Sequence, residues 1–310
     1  MLSLAILTLI ILATLLAPVY ASRIARTDPF ASNLSGTIVL DGQTVPVIQP
    51  NASGLGSTPI GPTWQAQYLL GADTQGRDVA ARLLYGGRAS LIVGIGAALG
   101  ACLLATIIGL IAGTSGVLVD GTISRLLDIV WAFPIYLLAI ALSTVLLIQG
   151  LSIGPVAIDP GSLWLPIIII GFVFIPYVAR PVRGEVLSVR RRDYIEAAIA
   201  QGARHRRVLF KEILPNVLPS VIVIFPLIIA ACILTESALS FLSIGVQPPE
   251  ASWGTIINGG QAQLYTRPLV SIAPGVMIAL TILVLNILGD GIRDALDPRA
   301  KIRRRRRPPA

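Results

Sequence analysis

Six long apolar stretches constrain the fold of this 310-residue chain more than any other feature. A helix of about 20 apolar residues is long enough to cross the ~30 Å hydrocarbon core of a membrane. Hydrophobic residues make up 54% of the chain and charged residues only 13%, against about 25% charged residues in soluble domains. The sequence therefore predicts an all-α integral membrane protein and excludes a soluble enzyme, a disordered chain and a collagen. The six predicted transmembrane helices lie near residues 2–20, 89–115, 129–149, 163–180, 214–235 and 270–289.

The first apolar stretch has two interpretations. Val19-Tyr20-Ala21 is similar to the cleavage site of a signal peptide. However, no Lys or Arg precedes it, and its 19 apolar or small residues are long for the apolar part of a signal peptide. We interpret the stretch as a true transmembrane helix. The missing basic residues are also consistent with a trimmed N-terminus.

The distribution of positive charge predicts the orientation. If the N-terminus faces the cytoplasm, the inner segments hold 18 of the 24 Lys and Arg residues. Because basic residues concentrate in cytoplasmic segments, we expect six spans with both termini in the cytoplasm. The predicted organisation is a first transmembrane helix (1–22), an extracytoplasmic loop (23–88), a five-helix core (89–299) and a basic cytoplasmic tail (300–310).

The tail carries six basic residues between Lys301 and Arg307, within a chain of net charge +8. We expect this tail to contact anionic membrane lipid, which contributes about 1 kcal/mol per charge. Nucleic-acid binding is not favoured, because no aromatic residues alternate with the basic ones.

The residue types that support catalysis are scarce. The single histidine is His205, and both cysteines, Cys102 and Cys232, lie in apolar stretches, so neither a zinc site nor a disulfide framework is expected. Neither Lys211 nor Lys301 belongs to the Gly-Lys-[Ser/Thr] sequence of a phosphate-binding loop. A membrane-embedded enzyme is not favoured either, because no nucleophile–base set is found. We therefore predict no catalytic residue, no metal site, no cofactor and no ATP hydrolysis by this chain.

The six predicted spans have uncharged centres, and Asp128, Glu236 and Asp290 lie only at their edges. Ion-coupled transporters usually need buried ionisable residues on their path, so we expect the energy for transport to come from another subunit. A channel is not excluded by this argument. Glu236 is interpreted either as a carboxylate that reaches interfacial water, which we favour slightly, or as a residue of a translocation path.

Several local contacts are also predicted. The pairs Gly96–Gly100 and Gly109–Gly113 indicate close helix packing inside the protein. Asp128 is expected to pair with Arg125 at i, i+3, and His205 is expected to be exposed. Four tryptophans are predicted to anchor the ends of spans: Trp64, Trp131, Trp164 and Trp253. Prolines that permit kinks occur at 134, 166, 176, 226 and 274.

The loop between the fourth and fifth predicted spans, about 183–215, is the most informative segment. Ile195, Ala198 and Ile199 fall on one face of a helix. Gly202 can provide a turn with positive φ, and a second short amphipathic stretch follows at 208–210. Pro215 then opens the next span, where its missing N–H has little cost. The pattern predicts a helix–turn–helix on the cytoplasmic face, with small alanines that offer a shallow docking surface.

This loop resembles the EAA loop of permease subunits of binding-protein-dependent ABC importers. One position departs from the family pattern I-x-L-P, because Glu212 occupies the usual aliphatic position and Ile213 follows it. The resemblance implies a coupling loop that docks in a cleft of a separate ATPase subunit. The coupling residues that it implies are Glu196, Ala197, Ala198, Gly202, Leu214 and Pro215.

Further motifs resemble those of the dipeptide, oligopeptide and nickel branch of these permeases, particularly the C-type of its two permease subunits. Together they cover most of residues 70–299, whereas residues 31–65 resemble no motif and are interpreted as an enlarged outer loop. The matching segments are 70–78, 82–91, 127–134, 236–249 and 289–299.

The resemblance implies the type I ABC importer permease fold and a transport subunit that forms half of a path for di- or oligopeptides across a bacterial cell membrane. It also implies a homologous second permease subunit, two ATPase subunits and an extracytoplasmic substrate-binding protein as partners. The alternative is a permease for nickel or another small solute. A stand-alone channel or secondary carrier is disfavoured by the uncharged spans and the docking loop.

Overall fold

Helices dominate the computed structural model, which describes residues 2–51 and 56–296. The basic tail predicted at 300–310 and the final motif residues 297–299 lie outside the described residues. The α-helices are α1 (Leu2–Leu15), α2 (Ala17–Val19), α3 (Val79–Thr114), α4 (Val117–Ala132), α5 (Ile135–Gln149), α6 (Trp164–Arg190), α7 (Asp193–Ala200), α8 (His205–Arg207), α9 (Leu214–Phe241), α10 (Trp253–Gly260) and α11 (Leu269–Leu296). Two π-helical segments, Tyr20–Ala25 and Val208–Ile213, and a 3-10 turn at Gln261–Gln263 complete the helical structure of this part of the chain.

Between four and six membrane spans are provided by these helices. Four helical runs are long and apolar enough to cross a membrane by themselves: α3, α6, the continuous run His205–Phe241, and α11. Two bent pairs qualify only when each pair is taken as one span. They are α1 with Ala17–Ala25, bent by 48°, and α4 with α5, bent by 88°. The predicted number of six spans corresponds to counting both bent pairs.

The third predicted span, 129–149, is not one straight helix. It breaks at Phe133–Pro134, between the end of α4 and the start of α5. Phe133 is extended, with φ −84° and ψ 136°, because the ring of a following proline disfavours helical geometry in the residue before it. As a result, the 16 residues of α4 and the 15 residues of α5 point in different directions.

The core is centred on α3, which packs most extensively on α6 and also on α9. Glycines make the contact with α6 close. A Cβ at Gly109 would lie 2.5 Å from Val182 Cγ1, and a Cβ at Gly113 would lie 2.5 Å from Val186 Cγ1. The internal packing predicted for this glycine pair is therefore confirmed. In the other pair, Gly96 faces Ile167, whereas a Cβ at Gly100 would meet open space.

Short antiparallel hairpins interrupt the helices, and the sequence did not predict them. The hairpins are β1 (Thr37–Leu40) with β2 (Gln43–Pro46), β3 (Ile48–Pro50) with β4 (Ser57–Pro59), and β5 (Leu151–Ile153) with β6 (Val156–Ile158). In the first hairpin Ile38 is opposite Val45, and in the second Gln49 is opposite Thr58. Residues 37–51 and 56–72, which we call the hairpin lobe, enclose a small core of Ile38, Val47, Ile60, Tyr68 and Ala72.

Asp78 begins α3 and ties it to the hairpin lobe. Its Oδ1 accepts hydrogen bonds from the N–H groups of Ala80 (2.9 Å) and Ala81 (3.1 Å), which makes Asp78 the N-cap of the helix. Its Oδ2 accepts hydrogen bonds from the Tyr68 N–H (2.9 Å) and the Thr27 hydroxyl (3.2 Å). Burial raises the pKa of the Asp78 carboxyl, although these donors oppose the rise.

The hairpin lobe and the coupling loop lie at opposite ends of the helix bundle. The lobe contacts the start of α11, where Arg267 Nε donates to the Pro59 carbonyl at 2.7 Å. The coupling loop follows the end of α6, where Arg190 Nη1 reaches the carbonyl of Thr114 at the end of α3. In a membrane that the bundle spans, these two ends therefore lie on opposite sides.

Candidate coupling site

The first half of the coupling loop is the short helix α7. Its N-terminal turn carries Asp193 and Glu196, where carboxylates interact favourably with the helix dipole. Ile195 is fully buried and fixes α7 to the body of the protein. Glu196 and Ala197 are exposed. The helix therefore buries Ile195 fully and presents an acidic and a small residue outward.

The face of α7 that carries Ile195, Ala198 and Ile199 is only partly buried. Ile195 is buried and Ala198 is half-buried, but Ile199 is 56% exposed. Ile199 therefore adds an exposed apolar side chain to the surface formed by Glu196 and Ala197.

Gly202 ends α7 with a left-handed turn, as predicted from the sequence. Its φ is +80°, and its N–H donates to the Ile199 carbonyl at 2.9 Å. The next N–H, that of Ala203, donates to the Ala198 carbonyl at 3.1 Å. These two bonds form a Schellman motif, which satisfies the last carbonyls of a helix. A Cβ at Gly202 would meet open space, so the demand for glycine comes from the backbone angle and not from crowding.

The second half of the loop differs from the prediction. A separate second helix was expected, but α8 passes through the π-helical segment Val208–Ile213 directly into α9, as one helical run. Pro215 lies in the first turn of α9, as predicted. Leu214 is half-buried and Pro215 is exposed. A shift of α7 would therefore act directly on a helix long enough to span the membrane.

The departure from the family pattern at Glu212 has a structural counterpart. Ile213, one position later, is 2% exposed and supplies the buried aliphatic side chain of this half. Short π-helical segments commonly accommodate such one-residue shifts inside helices and often occur at functional sites. Phe210, in the same segment, remains 59% exposed.

Two ion pairs connect α4 to the last turns of α6, next to the coupling loop. Arg183 forms a two-bond pair with Asp120, with Nη2 2.6 Å from Oδ2. Arg180 pairs with Asp128. The predicted pairing of Asp128 with Arg125 is wrong, because α6 packs against α4 and brings Arg180 to the carboxylate instead.

Aromatic residues surround the second pair. The guanidinium carbon of Arg180 lies 4.0 Å from the centre of the Trp131 ring, and this ring stacks on Tyr177 with centroids 4.5 Å apart. A cation over an aromatic face adds attraction to an ion pair that is partly exposed. These contacts hold the end of α4 on α6, just before the break at Phe133–Pro134.

Glu236 lies in α9 and is fully buried. The favoured interpretation of this residue, a carboxylate that reaches interfacial water, is therefore wrong. Ser90 and Ser240 donate hydrogen bonds to its two carboxyl oxygens, at 2.7 and 2.6 Å. Neither serine was singled out in the sequence. A serine four residues after a glutamate on one helix was the available signal for Ser240.

Trp253 is also placed differently from the prediction. It was expected to anchor a span end at the interface, but it is 0% exposed, and its Nε1 donates to the Leu83 carbonyl at 3.1 Å. The other three tryptophans are exposed by 40% or more: Trp64, Trp131 and Trp164. His205 is exposed, as predicted. Among residues 2–51 and 56–296, His, Cys, Asp and Glu side chains form no group of three that could hold a metal ion.

Comparison with solved structures identifies the fold. The fold is similar to that of a chain of the MetNI methionine ABC transporter in an inward-facing conformation, with a TM-score of 0.57 and 17% sequence identity. The match covers 70% of this chain and 96% of that chain. A likeness at this identity concerns the fold, which is that of a type I ABC importer permease.

Comparison with sequences defines the family. Residues 105–302 match the family described as "Binding-protein-dependent transport system inner membrane component". The chain is 41% identical to the dipeptide transport system permease protein DppC of Alkalihalophilus pseudofirmus, over 76% of this chain and 73% of that protein. It is 38% identical to the oligopeptide transport system permease protein OppC of Haemophilus influenzae, over 77% and 72%.

The chain therefore belongs to the family of binding-protein-dependent transport system inner membrane components. The resemblance found in the sequence is confirmed. A permease component of this kind is a transport subunit and not an enzyme, and ATP hydrolysis takes place in separate ATPase subunits.

Proposed function

We propose that this chain is the permease subunit of an ATP-driven importer for di- or oligopeptides and forms half of its translocation path. The peptide cargo is supported by relatives named for dipeptide and oligopeptide transport. The observation that carries the coupling role is the exposed helix α7, which joins the end of α6 to the helical run His205–Phe241.

The coupling residues are Glu196, Ala197, Ala198, Gly202, Leu214 and Pro215. Glu196 and Ala197 lie on the exposed side of α7. The small side chain of Ala197 allows the backbone of a partner to approach closely. Gly202 sets the direction in which α7 leaves the bundle, through its left-handed turn. Leu214 and Pro215 lie within the helical run His205–Phe241, which receives the movement.

The coupling-loop end faces the cytoplasm, and the hairpin lobe faces outward. The support is the charge distribution, because exposed arginines concentrate around α7, at 191, 192, 204, 206 and 207. Both termini are then cytoplasmic, residues 23–88 form an extracytoplasmic loop, and the tail 300–310 lies at the lipid surface. An extracytoplasmic binding protein would deliver the peptide at the hairpin-lobe end.

The proposed transport cycle is the alternating-access cycle that the family resemblance implies. ATP closes the two ATPase subunits, and their cleft moves α7. Because α7 is attached on one side to α6 and on the other to the run His205–Phe241, the movement reaches two spans together. The path, shared with a homologous second permease, opens alternately to the two sides.

The test is reconstitution of the chain in liposomes with the second permease, the two ATPase subunits and the binding protein of the same system. We expect uptake of a radiolabelled dipeptide that requires the binding protein and ATP on the ATPase side. The control is an ATPase subunit that binds but does not hydrolyse ATP. The purified chain alone should hydrolyse no ATP.

Other outcomes would identify other functions. Uptake of nickel ions with no uptake of peptides would establish the alternative cargo. Peptide flux through the chain alone, without ATP, would show a channel or secondary carrier and contradict the proposal.

A further inference from the structure

Glu236 is the centre of a hydrogen-bonded junction between three parts of the chain. Its Oε2 accepts a hydrogen bond from Ser90 of α3, and its Oε1 accepts one from Ser240 of α9. No Lys, Arg or His in the described ranges forms an ion pair with it. A buried carboxyl without a cation is costly unless donors satisfy it, and here hydroxyl groups from two helices do so.

The same two hydroxyls extend the network to the chain after α9. Ser90 Oγ accepts a hydrogen bond from the backbone N–H of Trp253, the first residue of α10, at 3.1 Å. Ser240 Oγ accepts one from the N–H of Val246 at 3.0 Å. Each serine therefore donates to Glu236 and accepts from the segment 242–260. Bonds that share a hydroxyl in this way strengthen one another.

The start of α10 is also closely packed against α3 and α9. A Cβ at Gly254 would collide with the carbonyl oxygen of Ser237, and a Cβ at Gly87 would lie 2.9 Å from the Trp253 ring. Trp253 itself is fully buried and bonded to the Leu83 carbonyl. The helix α10 therefore packs directly against α3 and α9, and Ser90 links its first residue, Trp253, to Glu236.

We propose that Glu236 is a positioning residue of the transport cycle: through Ser90 and Ser240 it locks the segment 242–260 to α3 and α9, so that the three move as one body. The proposal rests on the proposed function. The side chain is fully enclosed, so Glu236 is closed to the amino group of a passing peptide. Its role is carried by hydrogen-bonding geometry and not by its charge.

The test compares two replacements of Glu236 in the reconstituted transporter. Glu236→Gln keeps an acceptor, and its amide group can donate to a serine hydroxyl. Glu236→Leu keeps the size and removes every hydrogen bond. We expect Glu236→Gln to retain the KM and the maximal rate of dipeptide uptake within about twofold. We expect Glu236→Leu to lower the maximal rate by about tenfold or more at unchanged KM, because the unpaired serines free α10.

A second readout concerns the junction itself. Amide hydrogen exchange of the purified transporter should become about tenfold faster at 246–254 in Glu236→Leu and stay at the wild-type rate in Glu236→Gln. Ser90→Ala, which keeps the carboxyl but removes the acceptor for the Trp253 N–H, should also accelerate exchange there. Ser90→Ala provides the same readout if Glu236→Leu fails to insert into the membrane. Glu250→Gln, an exposed carboxylate of the same segment, is the matched control and should change nothing.

Three results would overturn the proposal. The first is loss of transport in Glu236→Gln with normal exchange, which would show that the charge contacts the cargo. The second is wild-type transport and exchange in Glu236→Leu. The third is accelerated exchange in Glu236→Leu with normal transport, which would leave a junction without a role in the cycle. If the wild-type transporter takes up no peptide, the proposed function fails, whereas the exchange measurement still decides whether Glu236 holds the junction.

Discussion

Arg183 of α6 holds Asp120 of α4 by two hydrogen bonds, one of them 2.6 Å long, at the end of the bundle where the coupling loop begins. The two side chains are 31% and 20% exposed, so the pair is partly shielded from water. Two parallel hydrogen bonds between an arginine and a carboxylate also fix the orientation of the two side chains relative to each other. This contact fixes the start of α4, whereas the Arg180–Asp128 pair fixes its later turns.

We predict that the Arg183–Asp120 pair stabilises the position of α4. Asp120→Arg should destabilise the purified protein, and the double variant Asp120→Arg/Arg183→Asp should recover most of the loss, because the exchange restores opposite charges. A coupling of about 1 kcal/mol is expected for a partly exposed two-bond pair. The measurement is thermal unfolding in detergent of the two single variants and the double variant. Equal losses in the double variant and in the sum of the single ones would contradict the prediction.

The sequence predicted the parts of the fold that depend on local pattern. The apolar stretches located the spans, and Gly202 located the left-handed turn, because both signals act within a few residues. Pro134, which was expected to permit a kink, marks the break between α4 and α5. One further local signal was present and not used. Asp41-Gly42, with φ of 50° and 79°, is typical of a two-residue hairpin turn and marks the hairpin lobe.

Contacts between distant elements could not be predicted in this way. Asp128 had an arginine three residues away, and only the packing of α6 on α4 shows that Arg180 is its partner. Glu236 and Trp253 were assigned to the interface because each follows or precedes an apolar stretch. The glycines of α3 and α10 bring both residues into a buried junction, which depends on helix packing.

The proposed orientation predicts opposite labelling of the two ends. Val39 in the hairpin lobe is 60% exposed and Gln201 in the coupling loop is exposed, and both native cysteines are buried. In intact cells, a membrane-impermeant maleimide should label Val39→Cys and leave Gln201→Cys unlabelled until the cells are permeabilised. The unmodified chain is the control for background. Labelling of Gln201→Cys alone would show that the orientation is the reverse of the proposed one. Equal labelling of both variants would contradict the placement of the two ends on opposite sides of the membrane.

Replacement of Gly202 should weaken coupling through backbone strain alone. Because φ is +80° and a Cβ there meets open space, Gly202→Val forces a β-branched residue into a left-handed conformation at a cost of about 1 kcal/mol or more. We expect less ATPase to co-purify and less peptide uptake, at normal membrane abundance. Gly184→Val is the matched control, because Gly184 lies in α6 with open space around its Cβ position and no positive φ. Equal loss in both variants would assign the effect to the added side chain.

Glu196 should contribute to docking through its charge. It is exposed on α7, so we expect its replacement to leave the fold intact. Glu196→Lys reverses the charge presented to the ATPase cleft and should reduce the amount of ATPase that co-purifies, by about tenfold if the loss is near 1.4 kcal/mol. Glu185→Lys on α6 makes the same change of charge outside the coupling residues and should bind ATPase normally. Raising the salt concentration should weaken ATPase binding to the wild-type permease more than binding to Glu196→Lys. Salt screens the attraction between Glu196 and the ATPase cleft, and the variant has already lost that attraction. Normal ATPase binding and normal uptake in Glu196→Lys would contradict a role of this charge in docking and would leave the other five coupling residues as candidates for the contact.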